Sequence, residues 1–183
     1  MGKHRMANVF MMSISIGASL IAYILFAYVA WEDFRRWKVE NRIVLLLLAL
    51  FIIHTASAEL AGGAISEIVN VTDSLLAALL LFTIGFVAWL IKIMGAGDAK
   101  LLFPVGLFVG WHQLFDFAIG LLFASIIVFL LIKLPLPLGL SMTRIGMRID
   151  EIRSTRKVPY AVVIVLPLLI ILTVRYINLL EKL

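Results

Sequence analysis

The sequence predicts an all-α polytopic membrane protein with six transmembrane helices and one amphipathic cytoplasmic segment, on three observations. Of its 183 residues, 63% are hydrophobic and 15% charged, whereas a soluble domain is about 45–50% apolar. The apolar residues gather in runs close to the ~20 that a helix needs to cross a bilayer. The basic residues cluster at alternate ends of those runs, as the positive-inside rule requires. The length suits one membrane-embedded domain, 1–183. The net charge is +5 and the pI about 9.7. With the bases set beside apolar spans, that charge addresses the lipid bilayer and no nucleic acid. There is no cysteine, which excludes a thiol nucleophile, a Cys-based zinc site and any disulfide. Lys3, His4 and Arg5 precede an apolar run as in a signal peptide, but the run is too long and no small-residue cleavage site follows, so it reads as a retained span.

In chain order, the first span covers about 9–31, from Val9 to Trp31. A dense polar patch, Glu32 to Arg42, follows it. The second span is about 43–58, and a mild loop with Glu59, Gly62, Gly63, Glu67 and Asp73 leads to the third, about 75–93. The turn Gly95-Ala96-Gly97-Asp98-Ala99-Lys100 opens the fourth, about 99–112. Its strictly apolar part, Leu101 to Gly110, covers only about 15 Å; it either extends through Trp111 and His112 or stops inside the bilayer. The fifth span is about 114–134, ended by Pro135 and Pro137. In the basic segment 138–157, Leu138, Met142, Ile145, Ile149 and Ile152 recur at spacings of four and three, with Arg144, Arg148 and Glu151 largely on another face. That pattern predicts an amphipathic helix on the membrane surface. The sixth span, about 159–177, contains Pro167 as a kink.

Placing the patch after the first span in the cytoplasm puts 12 of the 16 Lys and Arg on that side. Both termini then lie outside, against the local vote of Lys3 and Arg5. This topology brings Asp33, at the end of the first span, to the same membrane face as Asp98, at the start of the fourth. An acid at the edge of lipid is costly and is a functional candidate by default. Two carboxylates at one depth can share a proton, because adjacent negative charges do not both ionise cheaply. One then acts as base on a water and the other as acid toward a carbonyl oxygen, which hydrolyses a peptide without metal or thiol. Gly95 and Gly97 leave room for an extended peptide to approach the turn. His4, His54 and His112 lie far apart, and neither His54 nor His112 has a partner at ligand spacing. No metal or cofactor is expected.

Three motifs together resemble the type IV prepilin peptidases, in the short form found with tight-adherence pilus systems. Asp33-Phe34-Arg35, continuing to Val39-Glu40-Asn41, looks like the family's D-x-R-x-x-x-I-P-N. Gly95 to Leu101 looks like its G-x-G-D-x-K-L, and Lys157-Val158-Pro159-Tyr160-Ala161 like its K-V-P-Y-G before the last helix. The resemblance implies a six-helix GxGD intramembrane aspartyl protease in the bacterial cytoplasmic (inner) membrane, with Asp33 and Asp98 as its catalytic pair. Its partner would be a pilin precursor, cut at the cytoplasmic face between the basic leader and the hydrophobic helix. Glu40 stands where the family usually has proline, and Ala161 replaces a common glycine. Long-form enzymes carry a Cys-rich module and methylate the new N-terminus; with no cysteine here, methylation is not expected.

Around the pair, Arg35, Asn41, Lys100, Pro159 and Tyr160 are supporting candidates. Each also has a plainer role: Arg35 as a positive-inside anchor, Asn41 as a helix N-cap, Lys100 as a snorkelling base, Pro159 as a helix start. Glu32 is the rival acid, but it points about 100° away from Asp33 around a helix. Asp98 sits at a helix start, which favours an anion, with Lys100 close by; Asp33 sits at a helix end, which does not. That places the shared proton on Asp33, with Arg35 and Arg36 opposing. Two other readings exist. A presenilin-like protease shares the glycine-aspartate signature, but its Pro-Ala-Leu motif is missing here. A small transporter or channel would hold its acids deep within spans, and these sit at span ends.

Overall fold

The first helix continues through Glu32–Arg36 and ends inside the polar patch rather than at Trp31. A computed structural model describes residues 2–62, 70–133, 143–155 and 158–181, and its first helix, α1, runs from Gly2 to Arg36. It ends where Trp37 adopts φ 58, with the Trp37 N–H donating to the Asp33 carbonyl at 2.9 Å. A buried stripe of Ala18, Ala22, Phe26, Val29 and Asp33 follows the three-and-four spacing of one helix face. Asp33 therefore continues the face that packs into the bundle.

The remaining described helices are α2 (Asn41–Ala61), α3 (Val71–Leu90), α4 (Ala96–Val109), α5 (Leu114–Lys133), α6 (Arg144–Thr155) and α7 (Tyr160–Leu180). A 3-10 turn, Trp111–Gln113, joins α4 to α5, and there is no strand among the described residues. Asn70 caps α3, its Oδ1 accepting from the Thr72 N–H at 3.0 Å. The helix stops at Leu90 rather than at the expected Ile93, because Lys92 turns to φ 61.

Among the described residues, five helices are long and apolar enough to cross a membrane: α1, α2, α3, α5 with its preceding turn, and α7. The expected span 99–112 falls on α4, whose 14 residues cover about 21 Å, short of the ~30 Å hydrocarbon core. The physical reason is that α4 faces protein, not lipid. Nine of its residues are buried, and a segment enclosed by protein is free of the length that lipid imposes. Its main partner is α3, then α7 and α2. A Cβ on Gly106 would lie 2.4 Å from the Ala78 Cα, so α3 and α4 touch backbone to backbone; small residues make such close packing possible in membranes. Beyond α4, His112 Nδ1 meets Asp73 Oδ2 at 2.8 Å, so α4 and the following turn together run along the whole of α3.

The Phe108 ring, near the far end of α4, meets Phe26 and Phe51 edge-on at 5.4 Å each. The outer faces of α2, α3 and α5 carry exposed Leu, Ile and Phe, the surface that lipid solvates. In the amphipathic segment, Leu138 and Met142 lie outside the described residues. The part described as α6 buries Ile152. Its Arg153 donates to the Ile132 and Leu131 carbonyls at 2.8 and 2.9 Å, meeting groups that the end of α5 leaves without intrahelical donors.

Candidate active site

Asp33 and Asp98 come to the same end of the bundle from α1 and α4. Asp33 is 5% exposed, and its Oδ2 accepts the backbone N–H of Ala161 at 3.1 Å. Ala161 is the second residue of α7. The first N–H groups of a helix have no acceptor within it and form a ready anion site. Pro159 is the buried N-cap of α7, and Tyr160 its half-buried first residue; both place the Ala161 amide rather than contribute a reacting group.

Asp98 is the third residue of α4, after the N-cap Gly95. Its carboxylate lies beside Gly95, where an added Cβ would come within 2.9 Å of Oδ2. It lies outside the five long spans. Burial first, and the charge of Asp33 second, push its carboxyl up from 3.8 to about 7, while the Gly95 N–H pulls the other way. Desolvation and the neighbouring acid thus work against the anion that the start of α4 favours. Asp33 meanwhile receives the donor of a different helix, α7, which offsets its place at the end of α1.

Three supporting expectations change. Lys100 does not reach Asp98; its Nζ donates to Asn41 Oδ1 at 3.3 Å. Asn41 is not an N-cap but the first residue of α2, behind Glu40, and it ties the segment after α1 to α4. The space beside Gly97 is filled by this chain itself, since a Cβ there would lie 3.3 Å from Val39 Cβ. At Gly95 the added Cβ would lie 2.9 Å from Asp98 Oδ2. The two glycines thus accommodate Val39 and the Asp98 carboxylate on the sides a Cβ would occupy. Arg35 stacks over Trp31 with its guanidinium carbon 6.0 Å from the ring centre. Arg36 pairs with Glu32 at 3.2 Å, which occupies the rival acid.

Sequence reasoning missed Ala161 as a donor and Val39 as the lid on Gly97. The Lys157–Ala161 motif pointed to the right place, but every residue except proline has a backbone N–H, so nothing in Ala161 itself announces the contact. His54 packs as expected, its Nδ1 2.8 Å from Ser15 Oγ and its ring stacked on Phe108. Among the described residues no three His, Asp or Glu side chains converge as a metal ion needs.

A model of the type IV leader peptidase family matches residues 20–134. This chain belongs to that family. The matched stretch of the leader peptidase contains both Asp33 and Asp98 and ends before α7, so the Ala161 contact comes from the structure alone. No curated protein and no solved structure matches the chain.

Proposed function

We propose that this leader peptidase is an aspartyl endopeptidase that cuts the basic leader from type IV pilin precursors, with Asp33 and Asp98 as its catalytic pair. One observation carries the reading: two acids 65 positions apart in sequence come to one end of the bundle, where burial first and the charge of Asp33 second raise the Asp98 carboxyl to about 7. At neutral pH one of the two keeps a proton, as an acid–base pair requires. Asp33, held by the Ala161 N–H, is the base. It takes a proton from water as the water oxygen attacks the scissile carbonyl carbon, and Asp98 gives its proton to the carbonyl oxygen. The tetrahedral adduct then breaks its C–N bond. The leaving nitrogen takes a proton from Asp33, and the adduct's hydroxyl returns one to Asp98. A new carboxyl and a new amine result, and the pair is reset.

The distribution of Lys and Arg supports a cytoplasmic position for this end, at the inner membrane. The run of α4 and its following turn along α3 supports a sixth crossing made inside the protein. A leader that is basic and precedes an apolar helix suits a site at that face, with the helix remaining in lipid. Hydrolysis without methylation is the expected activity. Co-expression with candidate pilin precursors tests it: a size shift is expected, lost with Asp33→Asn or Asp98→Asn while the protein still inserts. Near-normal processing by either variant overturns the aspartyl reading.

A further inference from the structure

A cavity of about 410 Å³ opens at the end of the bundle opposite the aspartates, a size at which small-molecule sites begin to occur. It lies between the start of α3 and the ends of α4 and α7, and Arg175 on α7 lines it. We propose that this cavity binds a phosphate group, with Arg175 as its anchor.

Arg175 is the reason. Its Nη1 donates to the Phe108 carbonyl at 3.0 Å, and its Nη2 donates to the Val109 carbonyl at 2.8 Å and to Gln113 Oε1. Those three bonds close the C-terminal end of α4, where carbonyls lack intrahelical donors. All three acceptors are neutral. A guanidinium has five N–H groups, so two remain without a protein acceptor among the described residues, and the positive charge has no carboxylate in ion-pair contact. The one acid lining the cavity, Asp73, is held by His112. Asn178 adds an amide at the rim, and Phe51 and Leu179 supply apolar wall. Neutral carbonyls satisfy part of the guanidinium's hydrogen bonding but leave its charge unneutralised, and an anion in the cavity would neutralise it. Phosphate oxygens suit the remaining guanidinium donors, and either a lipid headgroup or a free phosphate brings them. The site does not depend on the peptidase reading.

The test uses the full chain in an uncharged detergent and isothermal titration with three probes: inorganic phosphate, dioctanoyl-phosphatidylglycerol, and dioctanoylglycerol, which lacks phosphate. Saturable binding of the phosphatidylglycerol, but not of dioctanoylglycerol, supports a headgroup site. Saturable binding of inorganic phosphate supports the same site filled from solution. Either affinity should fall about tenfold or more in Arg175→Gln, as expected for loss of charge-assisted bonds. Asn178→Trp, which fills the rim and leaves the α4 cap intact, should weaken binding to a similar degree and decides the matter if Arg175→Gln does not fold. The proposal is overturned if neither phosphate-bearing probe binds, if dioctanoylglycerol binds as well as its phosphorylated counterpart, or if Asn178→Trp leaves binding unchanged.

Discussion

The two ends of this bundle differ in a way that separates space from chemistry. At one end Asp33 and Asp98 are packed closely, with Val39 over Gly97 and the Ala161 amide on a carboxylate. At the other lies the cavity with Arg175, His112 and Asp73, where the arginine meets backbone carbonyls and the acid meets a histidine. Volume alone would place the proposed reaction at the cavity. The acid end stands out by two acids brought together, one buried and one half-buried, an arrangement that costs stability and marks a candidate reaction site. The cavity end follows the opposite rule, cation against carbonyl and acid against histidine, which stabilises.

The largest effect expected from this contrast is at the acids. Asp33→Asn or Asp98→Asn should reduce precursor cleavage by about a thousandfold or more, given that acid–base catalysis contributes roughly 10²–10⁴. A band-shift assay on purified protein measures it, and substantial residual activity would erase the distinction between the ends. Next is Ala161→Pro, which deletes the N–H on Asp33 at a helix position where proline is tolerated. Cleavage should fall by about 10–100-fold, the worth of one hydrogen bond to a charged group, with the acid limb of the pH profile moved upward. An unchanged profile would show that the amide is incidental.

A third effect follows from the sign of the Asp98 shift. Its folded carboxyl is raised from 3.8 to about 7, so the folded protein holds that proton more tightly than the unfolded chain does. The associated stability is complete below the ordinary carboxylate value and is lost as pH rises through about 7. Cleavage should decline over the same upper range as Asp98 loses its proton. Asp98→Asn should melt higher than the wild type at about pH 8, with the gap narrowing toward about pH 4; a constant difference between the two would mean that Asp98 is not buried beside another acid. The smallest effect belongs to Glu32→Gln. Glu32 neighbours the acids but is engaged by Arg36, and cleavage should stay within about threefold, the scale of one exposed ion pair.

Much of the acid end was legible before any coordinates. Asp33 and Asp98 stand out because charge at the edge of an apolar run is conspicuous, and the span rule places both at one face. The length of α4 was only half legible. Its apolar run looked short for lipid, but nothing in the run says that its neighbours would be α3, α2 and α7. The Lys92 break and the Trp37 stop were not legible, because neither residue type ordinarily takes a positive φ. What bears on the proton was not legible either: helix position is visible in the sequence, but burial at Asp98 and the α7 amide that reaches Asp33 from 128 residues away are not.

Asp98 has one further consequence in the first turn of its own helix, beside the N-cap Gly95. The Gly95 N–H is a donor whose attraction to the carboxyl depends on charge, stronger toward an anion than toward a neutral acid. In the proposed cycle, each proton passed to the substrate oxygen strengthens the hold on Gly95, and each proton regained relaxes it. The rhythm of proton transfer is thereby written into the turn at Gly95-Ala96-Gly97, where Val39 rests. In that cycle Asp98 would act as a latch as well as an acid, and the backbone around it should be tautest just after the proton has left.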